Sequence, residues 1–518
     1  MDLSWGALAP YDKLVNTSLV QPRAYQISII RSIYGRRNTL VVLPTGLGKT
    51  LIAVFAMAGA LHSGKRAVIL APTKPLSEQH YNSLLELLNI DKEGILLLTG
   101  GISKAKRLEL ESKAKVVAAT PQTFANDLKR GRVSLDGFGT VIFDECHRAV
   151  GHYAYTYIAN EAKLRGVQVI GLTASPGSNI KKINTLISTL GIENIEIRIS
   201  TDADVEPYVM KKDLSVVTVE KGDTINAILK LLLPVIEEHL GKLYSHGLSP
   251  FKYFDRMPKG MLLGIGDSIQ RIEAQNYKFM ALFNYVYVLN LGHAYDLAST
   301  EGIYPFLKYM ESLEGRETKS RALKSILANK SVISAMEVAR EALKNGEEHP
   351  KMSVAVDMIK RDMMDKSIIM FTQYRSTAYK LAKMLSEHGI SAREFVGKKE
   401  GVTQLQQQAT IKEFREGKFK VLVATSIGEE GLDIPGVDAV IFYEPIPNEI
   451  RNIQRKGRAG RMKLGSVVIL VARGTKDETY LFISRLKEKR MRDTVIKIKE
   501  RMDRGLESYV ASRQRSLR

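Results

Sequence analysis

The chain has 518 residues, enough for about two to four domains, because a single core rarely grows past about 250–300 residues. Hydrophobic residues make up 44% and charged residues 25%, an ordinary balance for a globular protein with a full core. A net charge of +20 asks for a polyanionic partner, nucleic acid before a membrane surface. No apolar run reaches the roughly 18 residues of a membrane span, and MDLSWGALAP lacks the basic end and long apolar core of a secretory signal. Cys146 is the only cysteine, which excludes intrachain disulfides and a cysteine zinc site and points to a reducing, cytoplasmic compartment, nucleoid-associated in a prokaryote.

In chain order, Arg23 and Gln26 of RAYQ come first, placed where an amide can read an adenine edge. LVVLPTGLGKTLIAV follows, a β-branched strand that passes through Pro44-Thr45-Gly46-Leu47-Gly48-Lys49-Thr50 into a helical pattern. Such a turn at a helix N-terminus cradles phosphates with backbone N–H groups, while Lys49 reaches the β/γ-phosphates and Thr50 offers a hydroxyl to Mg²⁺. The strict pattern has a glycine where Leu43 stands. APTKPL and ATPQT end two further apolar runs, and there Pro72, Thr73, Lys74, Thr120 and Pro121 can meet a phosphodiester backbone without reading bases. TVIFDECHRAV places Asp144 to hold a Mg²⁺ shell and Glu145 to orient and deprotonate water. Thr173-Ala174-Ser175 ends one more run and can link the nucleotide to the backbone track.

These short strands, separated by helical stretches up to about residue 206, predict a parallel α/β lobe with its functional loops at the strand C-termini. Residues 207–345 carry long 3.6-period patterns, as in TINAILKLLLPVIEEHL, and predict a helical domain inserted before a second α/β lobe at 346–484. That lobe holds MFTQYR, VATSIGEEGLDIP and QRKGRAGR. Residues 485–518 hold 12 Lys/Arg against 5 Asp/Glu. This basic tail is expected to form a helix at VIKIKERM and to end in disorder at ASRQRSLR.

Taken together, the phrases resemble the superfamily 2 helicases, DECH being a variant of the DEAD/DEAH box. LPTGLGKT, DECHRA, the helical insertion and FVGKKEG are most similar to the archaeal Hef helicase and its Fanconi anaemia M-type relatives. The resemblance implies two RecA-like lobes with ATP and Mg²⁺ between them. It assigns Gln373, Arg375 and Thr425 to the nucleic acid, and Gly431 and Asp433 to the ribose and to sensing closure. Gln454, Arg458 and Arg461 lie three or four residues apart on one helical face, so they can face the γ-phosphate together, the two arginines as fingers. His147 is expected to couple motifs across the cleft, Cys146 to pack, and His152 to be structural.

The implied activity is an ATP-dependent DNA helicase or translocase on forked or branched DNA in replication-fork repair, moving 3′ to 5′. RNA or double-stranded RNA remains an alternative substrate, since RNA-sensing relatives carry a comparable insertion. A non-catalytic nucleic-acid-binding scaffold is the alternative of another class, opposed by the intact Lys49, Glu145 and Arg461. Glu488-Lys489-Arg490 only echoes the GDxxxERKxxxD nuclease core that Hef-type proteins can carry, so no nuclease is expected before Arg518. No motif reads as a contact for a sliding clamp or a single-strand-binding protein.

Overall fold

The computed structural model describes all residues except 1–3, 36, 45, 101–113, 152, 200–201, 209–212, 256, 398–402, 426–435, 446–465 and 517–518. Strands β1 (Thr39–Val42), β2 (Arg66–Leu70), β3 (Ile95–Leu98), β4 (Val116–Ala119), β5 (Phe138–Phe143), β6 (Gln168–Thr173) and β7 (Asn194–Ile197) form one sheet. Their order is β3-β4-β2-β5-β6-β1-β7, and every pairing is parallel. β1 and β4 are buried throughout, as strands covered by helices on both faces must be. The strand ends are nearly level: Leu70 pairs with both Ala119 and Phe143, and Val42 with Thr173. The loops that follow β4, β2, β5, β6 and β1 therefore leave from one rim, in that order.

The second sheet contains β8 (Asp213–Val219), β9 (Ile368–Phe371), β10 (Ala392–Phe395), β11 (Val421–Ala424), β12 (Ala439–Phe442) and β13 (Ser466–Ala472). It runs β10-β11-β9-β12-β13-β8, again all parallel. β8 corrects the expected boundary at residue 207. This segment was assigned to the helical insertion but pairs with β13 from Asp213↔Ser466 to Val219↔Ala472. Its mixed exposure, with Leu214 exposed and Val219 buried, is that of an edge strand, which carries a weaker apolar signal than a central one.

Between β8 and β9 lie the helices Asp223–Ser245, Lys259–Gln270, Gln275–Asp296, Ile303–Glu314, Arg321–Leu327 and Lys330–Lys344. They share a core of their own that includes Ile228, Leu232, Ile236, Val288, Leu291, Phe306 and Val332. The insertion meets the second sheet through a buried polar junction. Tyr443 Oη donates to the Glu301 carbonyl at 2.9 Å and Thr377 Oγ1 to the Glu301 carboxylate at 3.0 Å, while within the second lobe Lys351 Nζ donates to Asp477 at 2.9 Å. Burial raises the Glu301 carboxyl from an ordinary 4.5 to about 7, although nearby Lys351 lowers it. A carboxyl raised in this way stabilises the fold fully below pH 4.5 and loses that contribution as pH rises through about 7. Glu301→Gln should therefore gain stability relative to the parent across that window, by up to about 1.4 kcal/mol per pH unit. Denaturant titrations of both proteins from pH 4.5 to 8 test this, and a pH-independent difference would mean that Lys351 keeps Glu301 ionised throughout.

The basic tail also departs from expectation. It belongs to a 41-residue helix, Lys476–Ser516, where the end was expected to be disordered. Met491, Val495 and Ile498, spaced four and three apart, bury into the core of the first lobe beside Ile195 and Leu190. The helix begins at the second sheet, where the Asp477 carboxylate accepts from the Ala472 amide at 2.9 Å. It thus spans both lobes. No described helix is long and apolar enough to cross a membrane.

Candidate nucleotide and nucleic-acid site

The rim of the first sheet builds the site. After β1, Gly46 and Gly48 take φ of 87° and 80°, a backbone that turns successive N–H groups inward and that side chains resist. Lys49 opens the helix Lys49–His62, with Thr50 in its first turn, and its Nζ donates to the Leu43 carbonyl at 3.0 Å. Pro44 and Leu47 flank the turn, while Thr45 lies outside the described residues. Leu47 is held from behind: Tyr25 Oη donates to its carbonyl at 2.9 Å and Gln26 Nε2 at 3.2 Å. Arg23 donates to Tyr25 Oη at 3.0 Å and sits over the Tyr208 ring, so it braces Tyr25. Gln26 Oε1 is buried without a hydrogen-bond partner, which is the acceptor an adenine amine requires.

Asp144 and Glu145 follow β5. Burial pushes the Asp144 carboxyl up, but the His80 hydrogen bond and charge, Lys49 and the Glu145 amide outweigh it and hold the group below its ordinary value. His80 Nε2 lies 2.8 Å from Asp144 Oδ2; an ionised carboxylate only accepts, so His80 donates. Tyr155 Oη reaches both the Asp144 carbonyl, at 2.7 Å, and the Leu70 carbonyl, at 2.9 Å. Glu145 is the one described non-glycine residue with positive φ, 48°, strain of the kind that collects at functional sites. Its Oε2 is buried with no hydrogen-bond donor, and His147 Nδ1 stands 3.4 Å away.

The residues expected to couple the motifs meet at the end of β6, between the phosphate loop and DECH. The Thr173 hydroxyl donates to the Ser175 carbonyl at 3.0 Å and accepts from the Ser175 amide. His147 Nδ1 lies 3.2 Å from that hydroxyl, whose proton is already engaged, so His147 is the donor. Cys146 is fully buried, and burial raises its thiol well above the ordinary value. It packs under Gly171, where an added Cβ would stand 3.0 Å from Cys146 Sγ.

On the other flank, Thr73 caps the helix Lys74–Leu87 by accepting from the Leu76 amide at 3.4 Å, with Pro72 just before it. Lys74 is half exposed, 3.7 Å from Glu78. Thr120 Oγ1 donates to Thr123 Oγ1 at 2.8 Å, and Pro121 opens the helix Pro121–Lys129. In the second lobe the Gln373 amide donates to Glu444, and Arg375 Nη2 to the Gly397 carbonyl at 3.1 Å. Thr425 is buried, its amide donating to Phe395 at 3.0 Å. Gly431, Asp433, Gln454, Arg458 and Arg461 lie outside the described residues.

Mg²⁺ keeps several waters and binds through one or two protein oxygens plus substrate phosphates. One ionised carboxylate at Asp144 with the Thr50 hydroxyl fits that demand. No group of three or more His, Cys, Asp or Glu side chains placed to hold a metal ion occurs among the described residues. When bound, the ion would neutralise charge on the phosphates. Tyr25, His80 and Tyr155 escaped the sequence patterns because each acts across a long stretch of chain.

The family model for the DEAD/DEAH box helicase matches residues 23–183, and that for the helicase conserved C-terminal domain matches 350–463. A Methanocaldococcus jannaschii protein that carries an ATP-dependent RNA helicase name is 38% identical over 92% of this chain and 61% of its own length. The ATP-dependent DNA helicase mph1 of Sclerotinia sclerotiorum is 32% identical over 88% of the chain and 40% of its own length. The chain thus spans less than two thirds of the length of these relatives. The crystal structure of the Pyrococcus furiosus Hef helicase domain superposes with a TM-score of 0.71 at 40% identity, covering 91% of this chain and all of that one. By these matches, the chain belongs to the DEAD/DEAH-box helicases of superfamily 2, in the group of Hef, Mph1 and FANCM.

Proposed function

We propose that this chain couples ATP hydrolysis to movement along DNA and acts on forked or branched DNA of the kind repaired at stalled replication forks. The observation that carries this proposal is the strand order. β5 delivers Asp144 and Glu145 between β2, whose loop holds Pro72, Thr73 and Lys74, and β6, whose loop holds Thr173 and Ser175. At about 4.8 Å per strand, the polynucleotide loop and the phosphate loop stand within roughly 15 Å of each other, with the hydrolytic carboxylates between them. Lys49 binds the β/γ-phosphates, Gln26 the adenine, and Glu145 takes the proton of the attacking water. Arg458 and Arg461, from the second lobe, complete the charge on closure by resemblance. The buried Glu145 oxygen accepts no hydrogen bond, with His147 Nδ1 3.4 Å away, and this supports a working base over an inert scaffold, since its lone pairs stay available to a water.

Branch recognition needs a surface beyond the single-strand track, and the insertion offers exposed aromatic side chains beside cations. Tyr253 lies under Lys252 and Phe279 under Arg321, a pairing suited to stacked bases with phosphates nearby. RNA is the second substrate reading, favoured by the RNA-helicase names of the Methanocaldococcus jannaschii and Arabidopsis thaliana relatives. ATPase stimulation measured side by side with single-stranded DNA, forked DNA, a four-way junction and duplex RNA decides. Forked DNA should stimulate most at equal nucleotide concentration. Greater stimulation by duplex RNA would overturn the DNA assignment, and equal stimulation by fork and single strand would remove branch recognition.

A further inference from the structure

One face of the helix Lys74–Leu87 buries Ser77, His80 and Leu84, three and four residues apart. Leu84 seats the helix in the core of the first lobe. Ser77 Oγ donates to the Thr73 carbonyl at 3.1 Å and lies 3.4 Å from the Ala71 carbonyl, so it holds the polynucleotide loop that follows β2. One turn later, His80 Nε2 donates to Asp144 at 2.8 Å, with both side chains buried. The helix that begins at the predicted backbone contacts Thr73 and Lys74 thus ends its first two turns on the carboxylate assigned to the metal. Asp144 is fixed from a second direction by Tyr155, which also grips Leu70 at the end of β2.

We propose that this helix is a lever between polynucleotide and metal carboxylate, and that His80 is the positioning residue through which strand binding at Thr73–Lys74 sets the Asp144 oxygens for Mg²⁺. A rigid helix moves as a unit, so a shift of its N-terminus on a phosphate is carried one and a half turns to His80. The hydrogen bond to Asp144 Oδ2 then selects the carboxylate rotamer. A histidine that serves the core alone would fill the same space without linking the two ligands. The proposal rests on assigning Mg²⁺ to Asp144.

The test compares the parent with His80→Leu, His80→Gln and Asp144→Asn. Binding of a fluorescent ADP is measured as Mg²⁺ is titrated, with and without saturating single-stranded DNA, alongside DNA affinity and melting temperature. In the parent, DNA should lower the Mg²⁺ concentration at half-binding. His80→Leu should raise that concentration about tenfold, the usual scale for losing a partner of a metal ligand. It should also abolish the DNA-dependent shift, with DNA affinity within about twofold of the parent. His80→Gln, whose amide nitrogen reaches the same place as Nε2, should restore most of the shift. The lever is overturned if the parent shows no DNA-dependent shift, if His80→Leu keeps it, or if His80→Gln falls with His80→Leu in both melting temperature and Mg²⁺ response. Asp144→Asn separates the two ideas. A parent-like Mg²⁺ requirement there would remove the metal assignment itself, whatever the His80 variants do.

Discussion

Glu145→Gln should bind nucleotide and single-stranded DNA within about twofold of the parent while its stimulated turnover falls roughly 10²–10⁴-fold, the usual contribution of a general base. The amide keeps the shape of the carboxylate and tolerates the same left-handed backbone, φ 48°. Neither His80 nor Tyr155 touches this side chain, so Asp144 keeps its hydrogen bonds at 2.8 Å and 2.7 Å. The lost element is the basic oxygen that accepts no hydrogen bond in the fold. The melting temperature should hold or rise, because a neutral amide replaces a buried carboxylate oxygen that accepts no hydrogen bond, a common exchange of activity for stability. Turnover near the parent rate would assign the base elsewhere and leave the strain at Glu145 without a catalytic reason.

What the sequence made legible was whatever folds within one strand and its following loop. Pro44 to Thr50 and Asp144 to His147 each span a few consecutive positions, so residue type and order already specify the chemistry. The residues that brace them act across folded distance. His80 stands 64 positions from Asp144, and Tyr155 stands 85 from Leu70, so no local pattern could pair them. β8 was hidden for a related reason, since its partner β13 lies some 250 residues later and its half-exposed edge resembles a polar linker. In the C-terminal helix the high positive charge masked a three-residue stripe, Met491, Val495 and Ile498, whose burial depends on the first lobe. Arg23 carries contacts its position did not announce: its guanidinium engages Tyr25 and Tyr208.

Gly48→Ala should cost nucleotide binding far more than its one methyl group suggests. A Cβ there would stand 2.4 Å from Gln26 Nε2, on a backbone with φ of +80°. The left-handed conformation costs roughly 1–2 kcal/mol for a residue with a Cβ. Moving the Gln26 amide away sacrifices its hydrogen bond to Leu47, worth about 1 kcal/mol. A variant loop that escapes the penalty by leaving this turn no longer points its N–H groups inward, so the cost appears in binding. The expected loss is therefore about 2–3 kcal/mol, or roughly 30–150-fold in affinity, with a small change in melting temperature. Gly46→Ala is the matched comparison, because its φ is +87° and nothing lies within 4 Å of the added Cβ. It carries the backbone cost without the collision. Gly48→Ala should also narrow the preference for ATP over GTP, since it displaces the amide whose buried free oxygen we propose reads the base, while Gly46→Ala should leave that preference alone. Measuring both affinities for both nucleotides decides: if Gly46→Ala weakens binding as much and narrows the preference equally, Gln26 neither shapes the phosphate loop nor reads the adenine.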